Sequence, residues 1–544
     1  MSDKGERCVL GLDFGSDSIR AVVVRVADGA EMAAGVAEYP RWMAGKYCEP
    51  ARQQYRQHPA DYMEAMTAAV RAALDKAGPT PPQIVGIGVD TTGSSPMPVA
   101  ADGMALALKD GFTEDPDAMC ILWKDHTSVQ EAEDINKLGE DDSLPDYIRY
   151  VGGIYSSEWY WAKILHIART NPATYRAAAN WVELCDWIPA LLTGVDDSGK
   201  IVRGVCAAGH KALWHPDWEG LPDGTWLTRL DPVLSNITQP MYSETRTSDM
   251  VAGHLTPDWA GRFGIAPGIP VAVGAFDAHM GAVGAGIEPY SMVRVMGTST
   301  CDILVAPPDE VGDTLVQGIC GQVPGSVMPG MIGFEAGQSS FGDVLAWFES
   351  VLSWGRSDKG AKGSLLPALE AEAAKLPPGA YGERALDWLN GRRTPDADQR
   401  VRAVIAGLHL GSTAPAIYRA LIEAMAFGAL AIVERFESEG IPVKKVVGIG
   451  GIARKSDLVS QISADVMNRE IHIIQSDEAC ARGAAIFAAA AAGEYPDIEA
   501  AKAAMLSPVE KVFTPDPDAH AAYKAIYEDY KRLGAFSEAF SRRL

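Results

Sequence analysis

Two segments far apart in the chain repeat one pattern: an apolar strand, then glycine, then hydroxyl side chains. The first reads Leu10-Gly11-Leu12-Asp13-Phe14-Gly15-Ser16-Asp17-Ser18, and the second Val293-Arg294-Val295-Met296-Gly297-Thr298-Ser299-Thr300. A glycine at such a turn lets backbone N–H groups converge on an anion, and the hydroxyls add donors. Either segment alone reads equally as an ordinary turn. Their recurrence predicts a duplicated chain of two α/β halves, 1–288 and 289–544.

The surroundings fit that division. Residues 8–13, 19–26 and 31–39 read as three strands, with Asp28-Gly29 as a turn, so a β-meander opens the chain. A helical pattern over 61–76 leads to Pro79, and 84–89 is a buried strand ending at Asp90-Thr91-Thr92-Gly93. Helical stretches follow near 158–170 and 182–192, then Gly/Pro/Trp-rich sequence to about 260. Strands are expected at 271–274 and 292–296. The second half alternates helix 416–439, strand 444–449, helix 455–468, strand 470–474 and helix 478–492, a pattern suited to a mixed sheet covered by helices.

Charge limits the partners. With 48 Lys+Arg against 71 Asp+Glu the formal charge is −23, which argues against nucleic acid and anionic membranes. No run reaches the ~18 apolar residues of a membrane span, and the first residues lack a signal-peptide core. The 8 cysteines form no C-x-x-C pair, so neither a zinc cluster nor a disulfide framework is expected. A soluble, cytoplasmic protein is the expectation.

Four places carry candidate chemistry. The two hairpins are the first pair, with Asp13 at a strand end as a Mg²⁺ ligand. Gly448-Ile449-Gly450-Gly451-Ile452-Ala453 fits the dinucleotide pattern G-x-G-x-x-A, without a clean acidic partner downstream. Asp277, in Ala275-Phe276-Asp277-Ala278-His279, reads either as a general base facing a cleft or as a helix N-cap. His279 reads as a structural histidine. Gly194-Val195-Asp196-Asp197-Ser198-Gly199-Lys200 resembles a phosphate loop but is followed by Ile201 and carries two carboxylates; it is read as a solvated turn.

Taken in order, these features resemble the FGGY family of sugar kinases, within the actin-like ATPase superfamily, from Val9 to about Ala492. Longer strings sharpen the resemblance: Tyr55-Arg56-Gln57-His58-Pro59-Ala60-Asp61-Tyr62, Trp123-Lys124-Asp125-His126-Thr127, Tyr155-Ser156-Ser157-Glu158-Trp159-Tyr160 with Lys163, Gly209-His210-Lys211-Ala212-Leu213-Trp214-His215, Gly333-Phe334-Glu335-Ala336-Gly337-Gln338-Ser339 and Leu386-Asp387-Trp388-Leu389-Asn390-Gly391-Arg392. They are similar to the branch that phosphorylates L-ribulose in arabinose catabolism.

The resemblance implies two ribonuclease H-like (actin-like ATPase) domains around a central cleft. It implies ATP and Mg²⁺ as cofactors and a small sugar as substrate, with a homodimer as one open assembly. The expected reaction is ATP-dependent transfer to the terminal hydroxyl of L-ribulose, or alternatively of D-ribulose, D-xylulose or ribitol. Asp277 is then the catalytic base, and an ordinary carboxyl pKa near ~3.9 would keep it ionised. Asp13 assists Mg²⁺. Ser16, Ser18, Arg20, Gly297 and Thr298 approach the ATP phosphates, while Gly337, Gly451 and Lys455 border the nucleotide. Thr92, Gly93, Asp125, Lys211 and Glu335 line the sugar pocket with Asp277. Asp17 departs from the family's hydroxyl residue and brings a carboxylate towards phosphate unless it is turned away. Ser95-Pro96 is a second departure, at the edge of the sugar pocket.

Two other classes compete. A dehydrogenase built on residues 448–453 predicts no sugar-dependent ATP turnover and gives the hairpins no task. A nucleotide-dependent switch binding a protein partner needs neither the Trp/Tyr-rich 155–161 segment nor Asp277.

Overall fold

The strand Arg7–Phe14 is buried along all but its first residue, as its unbroken apolar run requires of a strand covered on both faces. It sits centrally in the first of two seven-stranded sheets. The computed structural model describes residues 6–78, 80–237, 241–354 and 364–543; residues 1–5 and Pro79 lie outside them. Ser18–Arg25 pairs antiparallel with Arg7–Phe14, and Glu31–Glu38 pairs antiparallel with Ser18–Arg25. On the other side Gln83–Thr91 runs parallel, followed by Pro270–Ala272 and Val251–His254, with Ala275–Phe276 also pairing on Gln83–Thr91.

The second sheet repeats this plan. Ser291–Met296 and Thr300–Ala306 form the hairpin, Ile332–Ala336 is the third antiparallel strand, and Lys445–Ile449 runs parallel beside Ser291–Met296. Ile471–Ile474 and Val509–Phe513 extend that side, and Gly321–Pro324 the other. Two α/β domains of one plan face a cleft, the ribonuclease H-like arrangement that the family resemblance implies.

Two helices join the sheets. Asp277–Gly284 crosses Ala479–Ala491 so closely that a Cβ on Gly483 would lie 1.8 Å from the Met280 carbonyl oxygen. The second helix also rests on the first sheet, where a Cβ on Gly88 would lie 1.9 Å from the Ala484 oxygen. Alanine on the helix and glycine on the strands therefore set the spacing between the halves. A buried apolar cluster runs through this contact, from Val9 and Val22 through Met280 to Ala481 and Ala485.

Three segments complete the chain. Residues 147–234 build a separate aromatic core around Tyr155, Trp161, Trp181 and Trp226, which forms one wall of the cleft. Ala414–Ser438 is the central helix of the second half; it is long and apolar enough to cross a membrane, yet 83% of its apolar window is buried in this core. Beyond Ala492, where the sequence predicted no elements, Ile498–Met505 joins the apolar cluster between the sheets, Val509–Phe513 pairs with Ile471–Ile474, and Pro517–Ser541 packs on the core of the second half. The loop at Gly194–Lys200 is a largely exposed turn, with the Asp197 carboxylate accepting from the Gly199 N–H at 3.0 Å.

Candidate active site

Strand register gathers three carboxylates at one edge. Asp13 lies opposite Asp90 in the parallel pair, Ala275 pairs with Asp90, and Phe276 with Thr91, so Asp277 follows at the same end. The carboxyl ends of parallel strands are where such sheets bind ligands. Asp277 is the first residue of its helix rather than the N-cap, and its Oδ1 accepts from the Ala278 N–H at 2.6 Å.

Burial governs their protonation. It raises the Asp13 carboxyl above the usual range, with Arg20 at 3.4 Å opposing. It pushes Asp90 well up, reinforced by Asp13 and Asp277. It lifts Asp277 to about 7, with the charge of Asp13 adding to the shift. The ordinary pKa expected from sequence is thus corrected: desolvation and like charge destabilise the anion. Among the described residues neither oxygen of Asp90 has a partner other than the facing Asp13 carboxyl. Unpartnered hard oxygens beside Asp13 fit Mg²⁺, which takes carboxylates together with phosphate.

A cavity of about 240 Å³ opens beside this row. Ser16, Thr92, Gly93, Lys211, Asp277, Gly297, Thr298 and Glu335 line it. Lys211 Nζ donates to Glu335 Oε1 at 2.6 Å and lies 4.8 Å from the centre of the Trp159 ring. Burial works against the Lys211 charge, but Glu335 overcomes it and the net shift is upward. The Thr92–Ser95 wall is fixed from behind: Lys163 Nζ donates to the Ser94 carbonyl at 2.7 Å, and the Ser95 N–H to Glu183 at 2.6 Å. Ser95, the second departure, is therefore committed to Glu183.

Other expected residues lie elsewhere. Asp125 does not line the cavity. It is fully buried, paired with Arg56, and accepts from the N–H groups of Tyr55 at 2.7 Å and Thr127 at 3.1 Å. Its oxygens are engaged by Tyr55 and Arg56 of the strand Gln54–Gln57 and by Thr127 of its own loop, which fixes the segment that carries Trp123. Trp123 is the lining residue there, and its indole donates to Ser16 Oγ at 2.9 Å. Gly337 is buried, and a Cβ on it would lie 2.2 Å from the Thr300 oxygen, so it serves strand packing. Asp13, Ser18 and Arg20 stand outside the lining on the first hairpin, with Arg20 also 3.4 Å from Glu478. Gly451 and Lys455 are exposed on the short helix Gly451–Lys455, directly after the strand Lys445–Ile449. Asp17 accepts from the Trp42 indole at 2.7 Å, which occupies its charge on the neighbouring segment.

The second hairpin is braced as an anion site would need. Thr298 O accepts from the N–H groups of Phe341 at 2.8 Å and Asp343 at 3.2 Å, and Gly297 O from Gly342 at 3.0 Å. The hairpin thereby docks on the N-terminus of the helix Gly342–Ser353.

Sequence reasoning missed Asp90, Glu158, Trp159 and Arg393 as site residues. Asp90 carried the same strand-end signal as Asp13. Glu158 and Trp159 stood in a string that carried the family resemblance but were given no role of their own, and Arg393 had no local signal.

Comparisons with known proteins agree with this geometry. Residues 8–284 match the N-terminal domain, and residues 292–492 the C-terminal domain, of the FGGY family of carbohydrate kinases. A ribulokinase of Vibrio parahaemolyticus is 48% identical over 97% of this chain and 96% of its own. A ribulokinase of Mycolicibacterium smegmatis is 37% identical over 96% of this chain and 93% of its own. The crystal structure of xylulose kinase from Rhodospirillum rubrum superposes with a TM-score of 0.77 at 22% identity, covering 98% of this chain and 100% of that one.

Proposed function

This chain belongs to the FGGY family of carbohydrate kinases, which transfer phosphate from ATP with Mg²⁺, and we propose that its sugar is L-ribulose, phosphorylated at the terminal hydroxyl to L-ribulose 5-phosphate. The relatives named ribulokinase, aligned along nearly the whole chain, support ribulose as the acceptor. The observation that carries the chemistry is Asp277: a partly buried carboxyl with a pKa lifted to about 7, at the cavity wall between the carboxylate row and the Lys211–Glu335 pair.

In this reading Asp13 and Asp90 hold Mg²⁺, which neutralises phosphate charge when bound. Phosphoryl transfer has a loose transition state, so the chain's task is to position groups and meet charge. Lys211 and Glu335 orient the sugar through its hydroxyls. Asp277 accepts the proton of the terminal hydroxyl, and a pKa near the working pH suits that task. The N–H of Thr298 and the hydroxyls of Thr298 and Ser16 face the transferring oxygens, on a hairpin closed by the Gly297 N–H donating to the Ser299 carbonyl at 3.0 Å. Walls from both halves, including Trp123, Trp159 and Arg393, exclude water. We place the division between the domains at 288/289.

The test is ADP release with each of the four ketopentuloses and the common pentitols. L-Ribulose is expected to give the highest kcat/KM. A better D-ribulose, D-xylulose or ribitol would overturn the substrate while leaving the kinase. Asp277→Asn is expected to lower kcat by roughly 10²–10⁴-fold; near-normal turnover would remove Asp277 as base.

A further inference from the structure

Behind the Lys211–Glu335 pair lies a group that the phosphoryl transfer does not use. His210 and His279 are both buried, with ring centroids 4.7 Å apart and nearly edge-to-face. Glu335 Oε2 stands 3.7 Å from His210 Nδ1 and 3.8 Å from His279 Nε2. Among the described residues none of these three atoms has a hydrogen-bond partner, nor has His279 Nδ1. Buried polar atoms are almost always satisfied, so four orphans in one place call for a ligand.

We propose that His210, His279 and Glu335 form a binding site for a borderline divalent transition ion such as Zn²⁺, whose occupation excludes the sugar. One atom from each residue lies within 4.8 Å of the other two. Tetrahedral zinc with bonds of ~2.0–2.1 Å needs ligand atoms about 3.3 Å apart. The observed 3.7 and 3.8 Å to Glu335 close with shifts of about half an ångström, and the two imidazole nitrogens, within 4.8 Å of one another, with shifts of up to about 1.5 Å.

In the tautomer that binds a metal, His210 Nε2–H donates to Ser326 Oγ at 3.0 Å, whose own proton reaches the Val323 carbonyl at 3.1 Å, and Nδ1 keeps its lone pair. A metal-bound histidine typically has its other nitrogen held in this way. Burial keeps both imidazoles neutral, with His279 lowered to about 4, and neutral imidazole is the ligand form. A Cβ on residue 321 would come 2.3 Å from His210 Nδ1, and the residue there is Gly321.

The donor set separates this site from the one for Mg²⁺. Two imidazoles and a carboxylate suit Zn²⁺ or Co²⁺, whereas Mg²⁺ prefers oxygen. Two histidines and a glutamate with a fourth position open is a known zinc arrangement, and His279 and Glu335 line the cavity. Because Glu335 also holds Lys211, ion and sugar compete for one carboxylate; only this competition arm rests on the sugar-kinase reading.

The test uses the full chain freed of metal by chelator and titrated with Co²⁺. One equivalent is expected to give the visible bands of a four-coordinate ion. His279→Ala and His210→Ala should each weaken binding roughly tenfold or more. X-ray absorption of the Zn²⁺-loaded wild type, which needs no variant, should show nitrogen and oxygen neighbours without sulfur. Zn²⁺ should inhibit competitively with the sugar. Absence of bands, bands unchanged in both folded variants, or sulfur neighbours from Cys301 or Cys320 would overturn the site. Zn²⁺ inhibition relieved by excess Mg²⁺ would overturn the exclusion of sugar.

Discussion

Glu158, from the first half of the chain, and Arg393, from the second, meet across the cavity at 3.2 Å. Both line it, and His126 stands 3.7 Å from the same carboxylate. Burial alone would raise the Glu158 pKa, but Arg393, His126 and two lysines outweigh it and hold the carboxyl below the usual range. The pair is charged and spans the cleft. Its formation therefore depends on how the halves are disposed, and it favours the closed arrangement that a kinase uses to exclude water.

Arg393→Ala should raise the KM for the sugar about tenfold or more, because it strands a buried carboxylate at the pocket wall. Glu158→Gln should do less. A double-mutant cycle on kcat/KM should give a coupling of about 1–3 kcal/mol. Additive effects would show that the two residues act separately.

The raised pKa of Asp277 sets a pH dependence for both rate and stability. As the base must be ionised, kcat/KM should rise with pH and level off above about 7. A bound cation beside Asp13 draws that limb to lower pH in the Mg²⁺–ATP complex. For stability the sign is opposite. The folded pKa lies above the unfolded value, so the native state binds the proton more tightly. Without Mg²⁺, the melting temperature should fall between about pH 4 and 7 more steeply in the wild type than in Asp277→Asn. Equal slopes would mean the carboxyl titrates normally.

Asp90 should give opposite results with and without metal. Its unpartnered carboxylate is costly in the empty protein. Asp90→Asn should therefore raise the melting temperature of the metal-free protein at mildly alkaline pH. The same variant should need more Mg²⁺ for half-maximal activity. An unchanged Mg²⁺ requirement would remove Asp90 from the metal site.

What could be read from sequence were the features encoded locally. The strand–glycine–hydroxyl hairpins announced both sheets, and the apolar run of residues 8–13 announced a buried central strand. Residues whose role depends on partners distant in sequence were less legible. Asp125 belonged to a distinctive string, but its partner Arg56 comes from another strand, and the resulting ion pair removes it from the cavity. Arg393 and Glu158 are 235 positions apart, so neither carries a local sign of the other. The pKa of Asp277 likewise arises from burial and from Asp13, which only the folded sheet brings near.

The Arg56–Asp125 pair makes that difference measurable. Both side chains are almost completely buried. Arg56→Ala should destabilise the fold by about 3–5 kcal/mol, since a buried charge loses its partner. Asp125→Asn should likewise act first on the melting temperature. If Asp125→Asn instead raised the sugar KM with unchanged stability, the direct sugar contact expected from sequence would be reinstated.

The crossing of Asp277–Gly284 and Ala479–Ala491 offers a test of how the halves are joined. At Gly483 an added methyl would lie 1.8 Å from the Met280 oxygen, far inside contact distance, and backbone cannot yield as a side-chain tip can. Gly483→Ala therefore has to separate the two helices, at a cost of about 1–3 kcal/mol or more. The same helix that carries Met280 begins with Asp277, so the shift reaches the proposed base. The variant should lose both thermal stability and kcat. By contrast Gly261→Ala, on the helix Pro257–Phe263 with nothing within 4 Å of the new methyl, should be neutral or slightly stabilising. Equal melting temperatures and kcat in Gly483→Ala and the wild type would show that this crossing does not set the geometry of the site.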